Sequence, residues 1–175
     1  MVRLYVILIC IVVTQLCCKR ILNCEEKEKY TFSRTNYLGN EIKINGYYYS
    51  SKYYPLIFYK NGVMIRDILD TNNYNFSTFE TWVLQGRYGK GLKTNIYNWC
   101  LFEIKGNQLK YEGFNAKSGI SCKYTYIRTG TIIDDSTILF TNQINSDGKE
   151  SESQNDTFHF KQFSPKPDST NSFIN

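Results

Sequence analysis

The chain contains one histidine, His159, so any Ser-His-Asp or Cys-His arrangement for nucleophilic catalysis would have to use it. His159 stands between Phe158 and Phe160 in the alternating segment DTFHFKQF. Because side chains alternate between the two faces of a strand, His159 points away from these two aromatic residues. The sequence therefore predicts a histidine that faces solvent and has no catalytic role.

Two glutamates, Glu103 and Glu112, are the candidates for the carboxylate pair that glycoside hydrolysis uses. Both fall on the predicted outer face of one hairpin, where Lys110 lies opposite Glu103 as a cross-strand ion pair. Asp134-Asp135 fits a hairpin turn better than a metal site. The sequence has no CxxC motif and no Cys/His cluster. We therefore predict a non-enzymatic protein with no cofactor and no metal.

Cys17 and Cys18 are the cysteines with the clearest chemistry, at the end of the leader MVRLYVILICIVVTQLCCKR. Residues 4–13 form an apolar run that has the length of a signal-peptide core and is short for a membrane-spanning helix. An apolar run ending at a cysteine resembles a bacterial lipoprotein signal. The resemblance implies a lipid anchor at Cys18 or Cys17; secretion without lipid and an uncleaved membrane anchor are the alternatives. We predict a cell-envelope location, facing the periplasm or the exterior.

The composition favours a β-domain, since aromatic residues make up 16% of the chain and β-branched residues are plentiful. About eight strands with short turns predict an antiparallel meander, either open or closed as a small, lipocalin-like barrel. Ser77 and Glu80 fit a capping box and Gly86 a helix end, which predicts one short helix near residues 77–85. The net charge of +5 includes no run of four Lys or Arg residues, so we expect no nucleic-acid partner. The predicted organisation is a signal peptide (1–17), a linker (18–39), the β-domain (40–163) and an extended tail (164–175).

Two hairpins have a predictable register. Asn61-Gly62 between apolar runs is typical of a two-residue type I′ turn. This turn predicts a core face of Leu56, Phe58, Val63 and Ile65 and an outer face of Ile57, Tyr59, Met64 and Arg66. A turn at Gly106-Asn107 predicts a second core face of Cys100, Phe102, Ile104, Leu109, Tyr111 and Gly113. Trp99 falls on the outer face of that hairpin.

The next turn decides whether Cys100 and Cys122 form a disulfide. A turn near Lys117-Ser118 sets Cys122 beside Gly113, which pairs with Cys100 on its other side. The two cysteines would then lie about 10 Å apart across one strand. A disulfide requires Cα atoms within about 7 Å of each other. We therefore expect two buried thiols, unless a bulge shifts the register.

The stretch INGYYYSSKYYPLIFYKNG is unusually rich in tyrosine. If the alternation set by Ile42 and Ile44 continues, Tyr48 faces the core; a bulge at Gly46 would reverse its direction. Outward aromatic side chains can serve a protein, glycan or small-molecule partner. The candidate contact residues are Tyr47, Tyr49, Tyr59 and Trp99.

The order of several segments resembles a group of small, uncharacterised lipoproteins of Bacteroidota bacteria. The segments are an NGYYY strand, the FYKNG hairpin, WCLFEIKGNQLKYEGF, YIRTGTIIDDSTILF and the closing FSPKPDSTN. The resemblance implies an envelope location and a lipocalin-like β-fold, without an assigned activity. Two functions follow as hypotheses: a structural or protein-interaction role, or a carrier or sensor of a small apolar ligand held inside the barrel. The apolar faces could equally fill that interior, because close packing is the norm.

Overall fold

Alternating apolar and polar residues fold the chain into strands. The computed structural model of the chain describes residues 29–51, 55–66, 76–86, 93–116, 123–146, 148, 150–151 and 155–174. The strands are β1 (Gly46–Tyr49), β2 (Leu56–Phe58), β3 (Val63–Arg66), β4 (Trp99–Lys105), β5 (Gln108–Ala116), β6 (Lys123–Asp134), β7 (Thr137–Asn145), β8 (Glu150–Ser151) and β9 (Asp156–Gln162). The helix α1 (Phe76–Leu84) and a 3₁₀ turn (Ile96–Asn98) lie in the described residues between β3 and β4.

The strands close into a barrel. From β1 to β7, each strand pairs antiparallel with the next strand in sequence. β9 then pairs with both β7 and β1, which places Phe158 beside Ile138 and Phe160 beside Tyr48. The eight strands β1–β7 and β9 therefore form a closed ring, and the short β8 pairs with the far end of β7. The predicted mainly β, antiparallel meander is confirmed in its closed form.

The two ends of the barrel differ in their connections. The turns at residues 60–62, 106–107 and 135–136 lie at one end, called the lower end below. Tyr37 and Ile42 pack against the core at this end, where the Tyr37 N–H donates to the Lys60 carbonyl at 2.7 Å. β3 and β5 finish at the opposite, upper end, at Arg66 and Ala116.

Apolar side chains fill the barrel interior. The rings of Phe58 and Phe102 meet edge to face at 5.0 Å, and those of Phe140 and Phe158 at 5.4 Å. Tyr48 is part of this core, as the alternation of its strand predicts. Among the described residues, the buried apolar members of this core are Ile42, Tyr48, Leu56, Phe58, Met64, Cys100, Phe102, Leu109, Tyr111, Tyr126, Ile132, Ile138, Phe140 and Phe158.

The predicted register of the β2–β3 hairpin is wrong by one residue. Phe58 pairs with Met64, and the Tyr59 N–H donates to the Val63 carbonyl at 3.0 Å, which leaves a three-residue turn. A type I′ turn needs positive φ at both central residues. In the described part of the chain positive φ occurs only at glycines, here at Gly62 with 77°. The turn therefore has one left-handed residue instead of two, as in a hairpin that ends in a G1 bulge.

The one-residue shift exchanges the two faces of β3. Met64 belongs to the interior core, and Arg66 pairs with the interior residue Leu56. Val63 and Ile65 lie on the outside instead. Because side chains alternate with a period of two, a shift of one residue reverses every side chain of a strand. The main consequence is that an arginine predicted on the outer face stands inside the barrel.

The β4–β5 register is confirmed and the β5–β6 register is not. Cys100 pairs with Gly113 as predicted, but Gly113 pairs with Tyr126 on its other side, where we expected Cys122. β5 continues to Ala116 and β6 begins at Lys123, so the connection is longer than the predicted turn. Cys100 is a free, buried thiol, whereas Cys122 lies outside the described residues.

The short helix is confirmed. α1 starts at Phe76, and Gly86 follows its end with a positive φ of 66°. The Gly86 N–H donates to the Val83 carbonyl at 3.0 Å, which satisfies one of the last free carbonyls of the helix.

The predicted capping box of this helix is wrong. Ser77 lies within the first turn of α1 rather than before it. The Glu80 carboxylate instead reaches the barrel, where it accepts a hydrogen bond from the Tyr47 hydroxyl at 2.8 Å and meets Lys161 Nζ at 2.7 Å. Glu80 therefore ties α1 to β1 and β9.

A second apolar layer covers the outside of β1–β4. It is called the outer cover below and consists of α1, residues 30–32 and residues 163–174. The cover residues that pack against the barrel are Tyr30, Phe32, Phe79, Trp82, Val83, Phe163, Phe173 and Ile174. The described parts of the predicted linker (18–39) and tail (164–175) therefore lie on the barrel.

Candidate binding site

The predicted lipidation residues, Cys17 and Cys18, lie outside the described residues. A search of the part of the chain that the structure describes finds no helix long and apolar enough to cross a membrane. The membrane anchor therefore stays a prediction from the leader sequence.

The four predicted aromatic contact residues are less exposed than expected. Trp99 and Tyr47 are only 0% and 1% exposed because the outer cover lies over them, and Tyr59 is also buried. The expectation of exposed Trp99 and Tyr47 side chains is thus wrong. Tyr49 is half-buried on the outer face, where its ring lies 6.4 Å from that of His159. Of the four, Tyr49 keeps the most accessible ring.

The acid–base candidates do not come together. His159 is exposed on the outer face of β9, as predicted. Glu103 pairs with Lys110 in the predicted register and also lies 3.2 Å from Lys105 Nζ. Asp135 Oδ1 lies 3.1 Å from Lys43 Nζ at the β6–β7 turn, which falls one residue later than predicted. His159, Glu103 and Asp135 therefore lie at separate places on the surface and form no shared site.

Glu112 has a structural set of partners. It is fully buried on the outer face of β5. Its Oε2 accepts hydrogen bonds from the backbone N–H groups of Thr31 at 2.7 Å and Phe32 at 2.8 Å, and its Oε1 accepts from the Thr31 hydroxyl at 3.1 Å. A carboxylate with three short hydrogen bonds holds the N-terminal segment on the barrel.

The tail places a lysine against the lower end of the barrel. Lys166 Nζ donates to the carbonyls of Ile44 at 2.6 Å and Phe58 at 2.8 Å, and lies 4.2 Å from the centre of the Tyr59 ring. Burial lowers the pKa of Lys166 to about 8. The Tyr59 hydroxyl donates to the Pro167 carbonyl at 2.6 Å. These contacts hold the tail onto the β2–β3 hairpin.

A shallow pocket of about 480 Å³ lies beside these contacts. It is called the tail pocket below and is lined by Ile44, Asn45, Tyr59, Lys60, Asn61, Lys166 and Ser169. The groups that could recognise a ligand here already bind the protein's own backbone. The tail pocket is therefore better explained by the attachment of the tail.

The interior becomes polar towards the upper end. Arg128 and Asp156 are both buried and form an ion pair with 3.1 Å between Nη2 and Oδ2. The Arg128 guanidinium also lies 5.0 Å from the Phe140 ring centre. A buried charge is tolerated when an opposite charge and hydrogen bonds compensate it, as they do for this pair.

Arg66 stands in the same polar region with weaker contacts. Its Nη2 donates to Asn115 Oδ1 at 3.1 Å and to the Phe114 carbonyl at 3.4 Å. Its guanidinium lies 5.0 Å from the centre of the Tyr126 ring. Arg66 is partly buried, and within the described residues no carboxylate lies at ion-pair distance from it.

Cys100 and Tyr126 complete what is called the upper corner below, together with Arg66 and Asn98. A Cβ at Gly113 would lie 2.7 Å from Cys100 Sγ and 2.9 Å from the Tyr126 hydroxyl, so only glycine lets these groups approach β5. Burial raises the pKa of Cys100 to about 11 and the pKa of Tyr126 well above its usual range. Both are therefore neutral near pH 7.

Sequence reasoning missed the upper corner for two reasons. The two-residue turn predicted at Asn61-Gly62 places Arg66 on the outer face, and Tyr126 occupies the position predicted for Cys122. Gly62 is also compatible with the observed register, since a three-residue hairpin turn needs only one residue with positive φ. In the described ranges, no group of three or more His, Cys, Asp or Glu residues could hold a metal ion.

Comparison of the chain with protein-family models, with curated proteins and with solved structures found no match. The closed eight-stranded antiparallel barrel is compatible with the lipocalin-like fold that the sequence resemblance implies. What supports a function is therefore the geometry of this chain and the chemistry of its leader.

Proposed function

We propose that the protein is a non-catalytic, membrane-anchored domain of a bacterial cell envelope, with a structural or protein-interaction role. The observation that carries this proposal is the filled interior of the barrel. A barrel whose core is packed with aromatic rings and whose outer wall is covered at β1–β4 acts as a rigid scaffold. Contacts with a partner protein would then be made by its exposed surfaces and its upper end.

The anchor in this proposal rests on the leader sequence. A lipid at Cys18 or Cys17 would hold the domain at a membrane and present it to the periplasm or the exterior. Two or more acyl chains give stable attachment, whereas a single chain gives marginal attachment.

Two observations support a non-catalytic role. His159 lies exposed on β9, beside Tyr49 and away from the barrel interior. The Cys100 thiol is fully buried, and burial raises its pKa to about 11, the reverse of what a cysteine nucleophile needs.

The alternative function, a carrier or sensor of a small apolar ligand, fits the barrel less well. An apolar ligand would have to displace side chains such as Phe58, Phe102 and Phe158, which are almost completely buried. Removing contacts of this kind is costly in a close-packed core.

Metabolic labelling with an alkyne analogue of palmitate tests the anchor. We expect label on the wild-type protein and its loss in either Cys17→Ala or Cys18→Ala, whichever removes the modified cysteine. A wild-type protein without label would contradict the lipid anchor. Native mass spectrometry of the gently extracted protein tests the role: a stoichiometric apolar molecule, in addition to the covalent lipid, would favour the carrier.

A further inference from the structure

Among the described strands of the ring, β1 and β2 are the neighbours with the least pairing. Tyr48 pairs with Leu56, and in a continued antiparallel ladder Gly46 would lie opposite Phe58. That further pair is not formed, whereas β1 stays paired with β9 from Gly46 to Tyr49. β1 and β2 therefore separate towards the lower end, and the opening between them is called the seam below.

A glycine allows β1 to lean away from β2 at the seam. A Cβ at Gly46 would collide with the Lys161 carbonyl oxygen of β9. Glycine in a strand often marks such a close approach of another backbone. Because β1 lies this close to β9 on one side, it leaves a gap to β2 on the other side.

The side chain of Lys166 bridges the seam. Its Nζ donates to the Ile44 carbonyl at 2.6 Å, on the β1 side, and to the Phe58 carbonyl at 2.8 Å, at the end of β2. Backbone carbonyls need hydrogen-bond partners, and here one ammonium group serves both strands in place of a ladder. The tail pocket of about 480 Å³ lies at the same place and is lined by Ile44, Tyr59 and Lys166 among others.

The tail crosses the seam and is held mainly by polar contacts. On the β1 side, the Phe163 N–H donates to the Asn45 carbonyl at 3.3 Å. On the β2 side, the Tyr59 hydroxyl donates to the Pro167 carbonyl at 2.6 Å. Residues 164–170 are all half-buried or exposed. A segment that buries so little surface can detach at a low cost compared with unfolding of the whole domain.

The apolar interior lies directly behind the seam. The rings of Tyr48 and Phe58 meet edge to face at 5.6 Å, and both residues are almost completely buried. Ile44 and Phe160 pack against the same core and are only partly buried. Separation of β1 from β2 would therefore expose aromatic core residues through the side of the barrel.

We propose that residues 163–170 form a displaceable strap, and that the barrel wall opens at the seam when the strap detaches. With the strap in place, the barrel is the closed scaffold described above. With the strap detached, the rings of Tyr48 and Phe58 become accessible to an apolar molecule, such as an acyl chain, from the side. This device goes beyond the proposed role and does not depend on the lipid anchor, because strap and seam both belong to the folded domain.

Hydrogen exchange of the full-length protein in detergent micelles, followed by mass spectrometry under native conditions, tests the strap. The reporting segments are residues 44–48 and 56–59 at the seam, and the reference segments are residues 100–105 and 108–113 of β4 and β5. We expect Lys166→Met to accelerate exchange about tenfold at the seam and less than about twofold in the reference segments. The ratio separates local opening from a general loss of stability.

A second variant and a matched control complete the test. Tyr59→Phe keeps the ring but loses the hydrogen bond to the Pro167 carbonyl, so exchange at the seam should rise about threefold. This milder change serves if Lys166→Met does not fold. Lys60→Met is the control, because Lys60 is exposed and lines the same pocket. It should leave exchange at the seam unchanged.

Three results would overturn the proposal. The first is unchanged exchange at the seam in both Lys166→Met and Tyr59→Phe. The second is an equal acceleration in the seam and reference segments, which would mean that the tail stabilises the whole barrel without guarding an opening. The third is the same acceleration in Lys60→Met, which would make the effect one of lost surface charge. Loss of lipid labelling with the expected exchange pattern would contradict the anchor alone.

Discussion

The two ends of the barrel each hold a partly buried cation, and the chain treats these cations differently. At the lower end, Lys166 Nζ donates to two backbone carbonyls within 2.8 Å and lies over the Tyr59 ring. At the upper end, Arg66 has one hydrogen bond at 3.1 Å, a longer one at 3.4 Å and an Nε without a partner. The first cation is part of how the fold closes. The second is held by longer, uncharged contacts and by the Tyr126 ring, so the fold depends on it less.

The largest effect should come from the filled lower half of the barrel. Phe58→Ala removes a ring that contacts the rings of Tyr48 at 5.6 Å and Phe102 at 5.0 Å. We expect the free energy of unfolding to fall by about 3–5 kcal/mol, as for other large core truncations. Urea denaturation measures this loss. The control is Thr157→Ala, an exposed neighbour on β9 that should change stability by less than about 0.5 kcal/mol. A small loss in Phe58→Ala would mean that the interior has room for a ligand.

The second effect compares the two cations directly. Lys166→Met leaves the carbonyls of Ile44 and Phe58 without their donor, so we expect a loss of about 1–3 kcal/mol. Arg66→Met replaces an incompletely compensated charge by an apolar side chain of similar length, and should leave stability unchanged or raise it. The same denaturation series measures both variants. Equal losses in the two variants would show that the fold depends on both cations to the same extent.

The third effect concerns a buried anion, Glu112, whose hydrogen bonds hold the N-terminal segment on the barrel. Glu112→Gln keeps the shape of the side chain but removes the charge that accepts from the Thr31 and Phe32 N–H groups. We expect a loss of about 1–2 kcal/mol and faster hydrogen exchange at these two amides. Glu103→Gln is the matched control, because Glu103 is only half-buried on the same hairpin. Unchanged exchange at Thr31 and Phe32 would show that packing alone holds the N-terminal segment.

The smallest effect is a pH dependence at the lower end. Burial lowers the folded-state pKa of Lys166 to about 8 from 10.5, so between these pH values the folded state binds fewer protons than the unfolded state. The contribution of Lys166 to stability therefore rises with pH through this window. Because Lys166 is only partly buried, solvent screening keeps the rise small. The stability difference between wild type and Lys166→Met should widen from pH 8 to 10; a difference that narrows would reverse the assignment.

The sequence predicted the architecture well because its signals for it are local. Alternation placed Tyr48 inside, the turn at Gly106 set the β4–β5 register, and Gly86 marked the end of the helix. These features depend on residues close together in the chain, where propensity and turn chemistry act directly.

The sequence was a poor guide to the candidate site because that site depends on register and on distant contacts. Two turns are compatible with Asn61-Gly62, and they assign Arg66 to opposite faces. A Cβ at Gly62 would lie 2.1 Å from the Thr35 carbonyl, so the N-terminal segment also constrains this turn. The burial of Trp99 and Tyr47 likewise depends on the outer cover, whose segments read as a linker and a tail when taken alone.

The closure of the ring by β9 also has a consequence for biosynthesis. β1 pairs with β9 through Tyr48 and Phe160, and β9 lies near the other end of the chain. β1 therefore has no second neighbouring strand until β9 has been synthesised. Until then, β1 and β7 are open edges that can pair with other chains. Growing or truncated chains that stop before Asp156 should therefore depend on chaperones to stay soluble, and the finished barrel can form only after synthesis of β9 is complete.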